Sequence, residues 1–394
     1  MPQKKQHVPE PSSCDYITPD AHDTLFLMIP RRAFLAAAAP LAFAQQPLIL
    51  PLLPPTPGNP RNTEGDFLPL RDGRILFAYT KFTGGTSDHA AAHIAARYSS
   101  DLGQTWTAND VTLLENEGGM NVMSVSLLRL KKSGRIAFFY LRKDSDTKCS
   151  PFLRTSSDEG KTWTRDPIPV ILDNPGYHVL NNDRVIQTNR GRLVAPVALH
   201  TSPEGKWTGR GSVRIYISDD EGQHWRRSPQ ILECPDAANK TGLQEPGVVE
   251  LKGGRLMLFS RTALGSQYVS YSNDGGESWS ELGPSALISP VSPASIERIP
   301  KTGHLLAVWN DHSQIAPELK GRRTPLTLAI SRDEGKTWER KRNLLDDPKG
   351  WYCYTAVEFV KDRILLGFAS GGTDGLSNLS RTQIASIPLK WLYR

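Results

Sequence analysis

Apolar positions along this chain cluster in short strand-like runs separated by polar turns, with no long stretch of helical period. Residues 91–98, 213–217, 268–271 and 326–330 are such runs, and each leads into the same short phrase. The phrase is Ser-x-Asp-x-Gly-x-(Thr/Ser/His)-Trp, at residues 99–106, 156–163, 218–225, 272–279 and 331–338. It reads as a hairpin turn. The Asp carboxylate accepts bonds from backbone N–H groups within the turn, the Gly supplies a positive φ, and the Trp folds back as an apolar plug on the strands of its own repeat. The five copies recur every 54 to 62 residues, which marks a repeat architecture. One small antiparallel sheet cannot bury both faces and must stack radially on its neighbours. The expected fold is therefore all-β, a β-propeller of four-stranded sheets.

Five phrases plus strand material at both ends predict six blades. The run 64–70 is expected to open the ring, and the runs 355–360, 363–369 and 383–392 to share the last blade with it. The composition, with 32 Gly and 30 Pro in 394 residues, suits a turn-rich chain. A net charge of +6 without a Lys/Arg block or aromatic-basic interleaving argues against a nucleic-acid partner.

The front of the chain reads as an address. Arg31-Arg32-Ala33-Phe34-Leu35 precedes an Ala-rich apolar stretch that ends in Ala42-Phe43-Ala44, the pattern of a twin-arginine export signal. The stretch is too short to span a bilayer. Residues 1–27 are then a polar leader or a mis-assigned start, 28–44 the signal, 45–60 a Pro-rich linker and 61–394 the propeller, in a periplasmic or extracellular protein. Of Cys14, Cys149, Cys234 and Cys353, three lie beyond the signal, an odd number that implies no disulfide framework. No Cys or His spacing suits a metal.

The repeated phrase resembles the Asp box of the sialidase (neuraminidase) superfamily, and the resemblance covers about residues 61–392. That box marks a fold and lies away from the active site, so chemistry must be sought elsewhere. The segment from Glu245-Pro246-Gly247-Val248-Val249-Glu250-Leu251 to Arg261 is similar to the family's hairpin in which the first Glu activates the nucleophile and the Arg grips a substrate carboxylate. The two lie sixteen positions apart, on antiparallel strands that a hairpin brings to one rim. The resemblance further implies Arg323, ten positions before Asp333, as a second carboxylate contact, with Arg322 its neighbour. In Trp351-Tyr352-Cys353-Tyr354-Thr355, Tyr354 fits the nucleophile strand best, and Tyr352 is the alternative on the same strand face. Asp88, in the Gly/Thr-rich loop before His89, corresponds to the family's general acid/base. The family's first arginine belongs to an Arg-Ile-Pro strand. Here the stretch begins Arg61-Asn62-Thr63-Glu64-Gly65-Asp66, so Arg61 completes the cluster only if the strand is entered earlier, and Glu64 or Asp66 is the alternative contact. Asn182, Asp183 and Arg184, three polar residues before an apolar pair, are expected at the substrate, as are Asn121 and the Trp309-Asn310-Asp311-His312 turn with lower rank.

Such a set suits a sugar with a carboxylate on its anomeric carbon. Planar guanidinium groups bind that carboxylate bidentately. A Tyr, neutral until a Glu takes its proton, avoids the repulsion a carboxylate nucleophile would meet, and sialidases depart in this way from the two-carboxylate scheme. The resemblance thus implies an exported, retaining exo-α-sialidase, monomeric, acting on sialylated glycans without metal or organic cofactor. The other readings are a propeller glycosidase or transferase for a different sugar, and a carbohydrate-binding propeller without catalysis.

Overall fold

The computed structural model describes residues 46–394, which form six antiparallel sheets, the blades of a β-propeller. Blade one comprises Arg61–Pro69, Ile75–Phe82, Ala92–Ser99 and Val111–Leu114; blade two Asn121–Arg129, Ile136–Lys143, Cys149–Ser156 and Ile168–Pro169. In blade three the innermost position is split between His178–Val179 and Ile186–Gln187, both paired with Leu193–Thr201, followed by Trp207–Ser218 and Arg226–Arg227. Blade four runs through Gln244–Glu250, Leu256–Arg261, Ser266–Ser272 and Gly283–Ile288; blade five through Ser295–Arg298, Leu305–Trp309, Leu326–Ser331 and Glu339–Leu345. Blade six holds Trp351–Val360, Arg363–Gly371 and Arg381–Pro388.

Ring closure differs from the expectation. The strand added to blade six is Leu48–Leu53, paired antiparallel with Arg381–Pro388, and it comes from the stretch expected to be linker. The run 64–70 instead begins blade one, inside Arg61–Pro69. Pro51 and Pro54–Pro55 obscured the strand, yet an outermost strand tolerates a proline whose nitrogen faces away from its single neighbour. The signal and leader segments and Cys14 lie outside the described residues.

Each Asp box joins the third and fourth strands of its blade. In the first, Ser99 Oγ donates to Asp101 Oδ1 at 2.9 Å and accepts the Gly103 N–H at 2.9 Å. The Asp101 carboxylate accepts the Thr105 N–H at 2.8 Å and its hydroxyl at 2.6 Å. The Trp plug reaches further than its own repeat: Trp225 of blade three packs edge-on against Phe139 of blade two. The box Gly is needed there twice over. Gly222 has φ 88°, and a Cβ on it would meet Leu153 Cδ2 of blade two at 2.3 Å. The boxes therefore seal blade to blade as well as closing a turn.

At the centre of the ring, buried polar groups stitch the inner strands together. Asn182 Nδ2 donates to the carbonyls of Gly65 at 2.8 Å and Tyr354 at 3.1 Å. Asp183 Oδ2 accepts the Val357 N–H at 2.9 Å, Asp66 Oδ2 that of Leu127 at 2.6 Å, and Ser126 Oγ that of Arg184 at 2.9 Å. Arg184 Nη2 donates to the Ala294 carbonyl at 2.8 Å. These bonds tie one inner strand to the next and offset much of the cost of burying the polar groups that make them.

The boxes make a pH-dependent contribution to stability. Asp158 is held down at about 2, chiefly by the Thr162 hydroxyl. In Asp220, Asp274 and Asp333, desolvation pushes upward but bonds from His224, Ser278 and Thr337 outweigh it, again leaving about 2. A depressed carboxyl stabilises the fold above the unfolded value of about 3.9, and this is lost as pH falls toward 2. Asp158→Asn should therefore melt below wild type at about pH 6 and converge on it near pH 2. Parallel melting curves across that range would contradict this account.

Candidate active site

Four inner strands carry a β-bulge, where the register slips between Thr63 and Asp66, Met123 and Ser126, Gln244 and Gly247, and Cys353 and Ala356. Within the bulges Glu64, Ser124, Glu245 and Tyr354 have φ of 53°, 57°, 48° and 55°. Non-glycine residues in this left-handed region carry strain on the order of 1–3 kcal/mol each. A bulge interrupts the alternation of side chains and re-aims one of them. All four re-aimed side chains line a single cavity of about 430 Å³.

The cavity brings most of the expected residues together. The Tyr354 hydroxyl donates to Glu245 Oε1 at 2.9 Å, and Arg261 Nη1 meets Glu245 Oε2 at 2.6 Å. The Arg323 guanidinium lies 5.6 Å from the centre of the Tyr354 ring and 5.3 Å from that of Trp351. Arg323, not Arg322, lines the cavity; Arg322 turns outward to the Lys349 carbonyl at 3.0 Å. Tyr352 is excluded as well. The φ of Tyr354 breaks the alternation that would have placed both on one face, and Tyr352 packs into the core against Phe368.

Arg61 sits behind Glu64 and Asp88, buried, with its guanidinium 4.5 Å from the centre of the Phe82 ring. Its Nη1 reaches Asp88 Oδ1 at 2.5 Å and its Nη2 lies 3.6 Å from Glu64 Oε1. Arg61 itself does not line the cavity; it backs Glu64 and Asp88, which do. Glu64 also accepts the Ser124 hydroxyl. Guanidinium donors remain without a protein partner in all three arginines: Nε and Nη2 of Arg61, Nε of Arg261 and Nε of Arg323. An anion with two oxygens is the ligand such a group of cations suits.

Asn182, Asp183 and Arg184 do not line the cavity. They occupy the central channel, bound to the inner strands, which corrects the expectation that they touch substrate. The neighbouring Asn181 lines it instead. Asn310 is also structural, donating to the carbonyls of Pro325 at 2.9 Å and Tyr352 at 3.2 Å. His312 is held by the carbonyls of Arg322 and Thr324. Asn121 and a residue missed in the sequence, the cavity-lining Lys143, grip the acid loop. Asn121 Nδ2 donates to the carbonyls of Asp88 at 2.9 Å and Ala90 at 2.8 Å, and Lys143 Nζ to that of Asp88 at 2.7 Å. The two are cross-strand partners, and the signal was a lysine closing the apolar run Ile136–Lys143.

Electrostatics set the protonation states. Burial pushes the Glu245 carboxyl up, but Arg261 and Arg323 outweigh it and hold it below its usual range. Burial, then the Glu245 charge, raises the Tyr354 phenol well above normal. For Asp88, desolvation is outweighed by the Arg61 charge, so it too is lowered. Burial raises Glu64 to about 7 against Arg61, with Asp88 adding to the rise. The Cys149 thiol, pushed up to about 12 by burial, is an inert part of the wall. The result is a neutral phenol bonded to an anionic carboxylate inside a ring of guanidinium groups. That arrangement can bind an anion and deliver an oxygen nucleophile whose proton has a waiting acceptor.

Comparison with known proteins gives the family and the fold. The BNR repeat-like domain matches residues 73–365, and the chain belongs to that family, within the sialidase superfamily. A sialidase of Bacteroides fragilis is 28% identical over 219 residues, which cover 53% of this chain and 37% of that protein. A sialidase of Micromonospora viridifaciens is 27% identical over 304 residues, covering 68% and 43%. The chain thus spans less than half the length of either relative. The NanB sialidase structure from Streptococcus pneumoniae superposes with a TM-score of 0.65 at 16% identity, over 84% of this chain and 69% of that one. At that identity the likeness is one of fold.

The grip on the acid loop is open to direct measurement. Asn121→Ala removes two buried hydrogen bonds, so amide exchange across residues 83–90 should quicken roughly tenfold, with a stability loss of about 2 kcal/mol. Unchanged exchange there would show that Lys143 alone fixes the loop.

Proposed function

We propose that the protein is a retaining exo-α-sialidase. The observation that carries this reading is the Tyr354–Glu245 hydrogen bond of 2.9 Å in a cavity shared with Asp88, Arg261 and Arg323. The three arginines would hold the carboxylate of a terminal sialic acid, placing its anomeric carbon above Tyr354. Binding also changes the charges around the reacting groups. Asp88 is ionised while Arg61 neutralises it; a substrate carboxylate on Arg61 competes for that cation and raises the Asp88 proton affinity, as a general acid requires. The same anion beside Arg261 and Arg323 makes Glu245 a better base.

In the first step the Tyr354 oxygen bonds to the anomeric carbon as its proton passes to Glu245. The glycosidic bond breaks, and Asp88 gives its proton to the leaving oxygen. In the second, Asp88 takes a proton from water, the water oxygen displaces Tyr354, and Glu245 returns the phenolic proton. Two displacements at one carbon leave the configuration unchanged. The Arg31-Arg32 stretch supports action outside the cytoplasm, which fractionation of the producing cell would check.

A fluorogenic sialoside set beside other aryl glycosides is the first test, and release from another glycoside alone would replace the substrate class. Tyr354→Phe should cut turnover by about a thousandfold or more and abolish covalent labelling by a fluorinated sialic acid. Its stability cost should be only about 1 kcal/mol. Arg61→Ala should cost about 2 kcal/mol or more in kcat/KM, and an unaltered value would remove Arg61 from the site.

A further inference from the structure

We infer that Trp207 is the platform on which the leaving-group sugar rests, a specificity-determining residue at the mouth of the cavity. This deepens the sialidase reading and rests on it. Trp207 is the largest of the exposed apolar side chains among the described residues, 56% accessible, and it lines the cavity that holds Tyr354 and Glu245. It stands at the start of Trp207–Ser218, the longest strand of the propeller, paired with Thr201 at the end of the neighbouring strand across an irregular stretch of register.

The indole is built into place. Its ring lies parallel to that of His200, at an interplanar angle of 10° and 6.2 Å between centres. His200 is buried, and its Nδ1 is bonded to the Thr208 carbonyl at 3.0 Å. Gln244 Nε2, next to the reacting Glu245, donates to the Gly209 carbonyl at 2.7 Å. The backbone on which Trp207 stands is therefore fastened to the second strand of its own blade and to the Glu245 strand. An aromatic face kept half in water by such supports has no role in the core, because its other face already packs on His200.

Reaction geometry says what meets that free face. In-line displacement puts the leaving oxygen on the side of the anomeric carbon opposite Tyr354, so the aglycone extends away from the strand that carries Tyr354, and the exposed indole is the apolar surface offered to it. The ring C–H groups of a sugar form an apolar patch that packs on an aromatic face, while its hydroxyls stay in water. A methyl aglycone is too small to cover the indole face.

The test uses the full chain with two substrates, methyl α-sialoside and sialyllactose. Trp207→Ala should lose about tenfold more kcat/KM on sialyllactose than on the methyl sialoside, mostly through KM, and Trp207→Phe should recover most of the difference. Equal losses on both, or none on either, would overturn the assignment while leaving the sialidase reading intact. A loss confined to kcat on both would mean that Trp207 acts on the sialic acid itself, and would also overturn it. Wild-type protein that releases sialic acid from neither substrate would defeat the sialidase reading, and this inference with it. Melting temperatures of both variants should match wild type, as expected for a side chain with one face in solvent.

Discussion

The repeated bulge in the inner strands is the constraint on which the site depends. A regular strand sends alternate side chains to opposite faces, both of which are buried between blades in a propeller. In such a strand only residues at its end would look into the mouth of the ring. Left-handed φ values at Glu64, Ser124, Glu245 and Tyr354 break the alternation at one place in each of four strands, and the four side chains share one cavity. The strain is local, and buried polar bonds oppose its relaxation. Asn182 ties the carbonyls of Gly65 and Tyr354, which belong to two of these bulges, to a third blade. Residues that touch no substrate thereby set the geometry of those that do.

Charge completes what backbone geometry begins. A buried phenol next to a carboxylate is stable only while the carboxylate is compensated, and Arg261 and Arg323 provide that compensation for Glu245. Arg61 does the same for Asp88 and only partly offsets the burial of Glu64. In the resting protein each reactive acid is paired to an arginine, so an entering anion exchanges with groups already in place. Electrostatic preorganisation of this kind avoids reorientation when charge moves during reaction. It also links recognition to activation, since the cations that would bind the substrate are those that set the acids' proton affinities.

Stability has a separate source. The Asp boxes, on the turns between third and fourth strands, close each blade through hydroxyl and amide bonds to one carboxylate and wedge a Trp toward the adjoining blade. The ring is closed by Leu48–Leu53, drawn from before the first blade onto the last. A covered edge removes the unpaired backbone groups that would otherwise invite aggregation. Mutations in the boxes and in the cavity are therefore expected to act on different properties.

The sequence alone determined the six-bladed architecture, because a turn with a required carboxylate, a required glycine and a required plug leaves a local and periodic signature. It also marked Glu245 and Arg261, whose separation is fixed by one hairpin. Residues joined through space carried no such signal. Whether Tyr352 or Tyr354 faced the site turned on one residue of register, which a bulge shifts without changing composition. Asn181, not Asn182 to Arg184, lines the cavity from the gap between two short strands, and Arg61 acts from behind Glu64 and Asp88. Lys143, His200 and Trp207 acquire meaning only from neighbours on other strands. Strand pairing and the left-handed bulges, both set by packing between blades, decided these positions, and no local pattern records them.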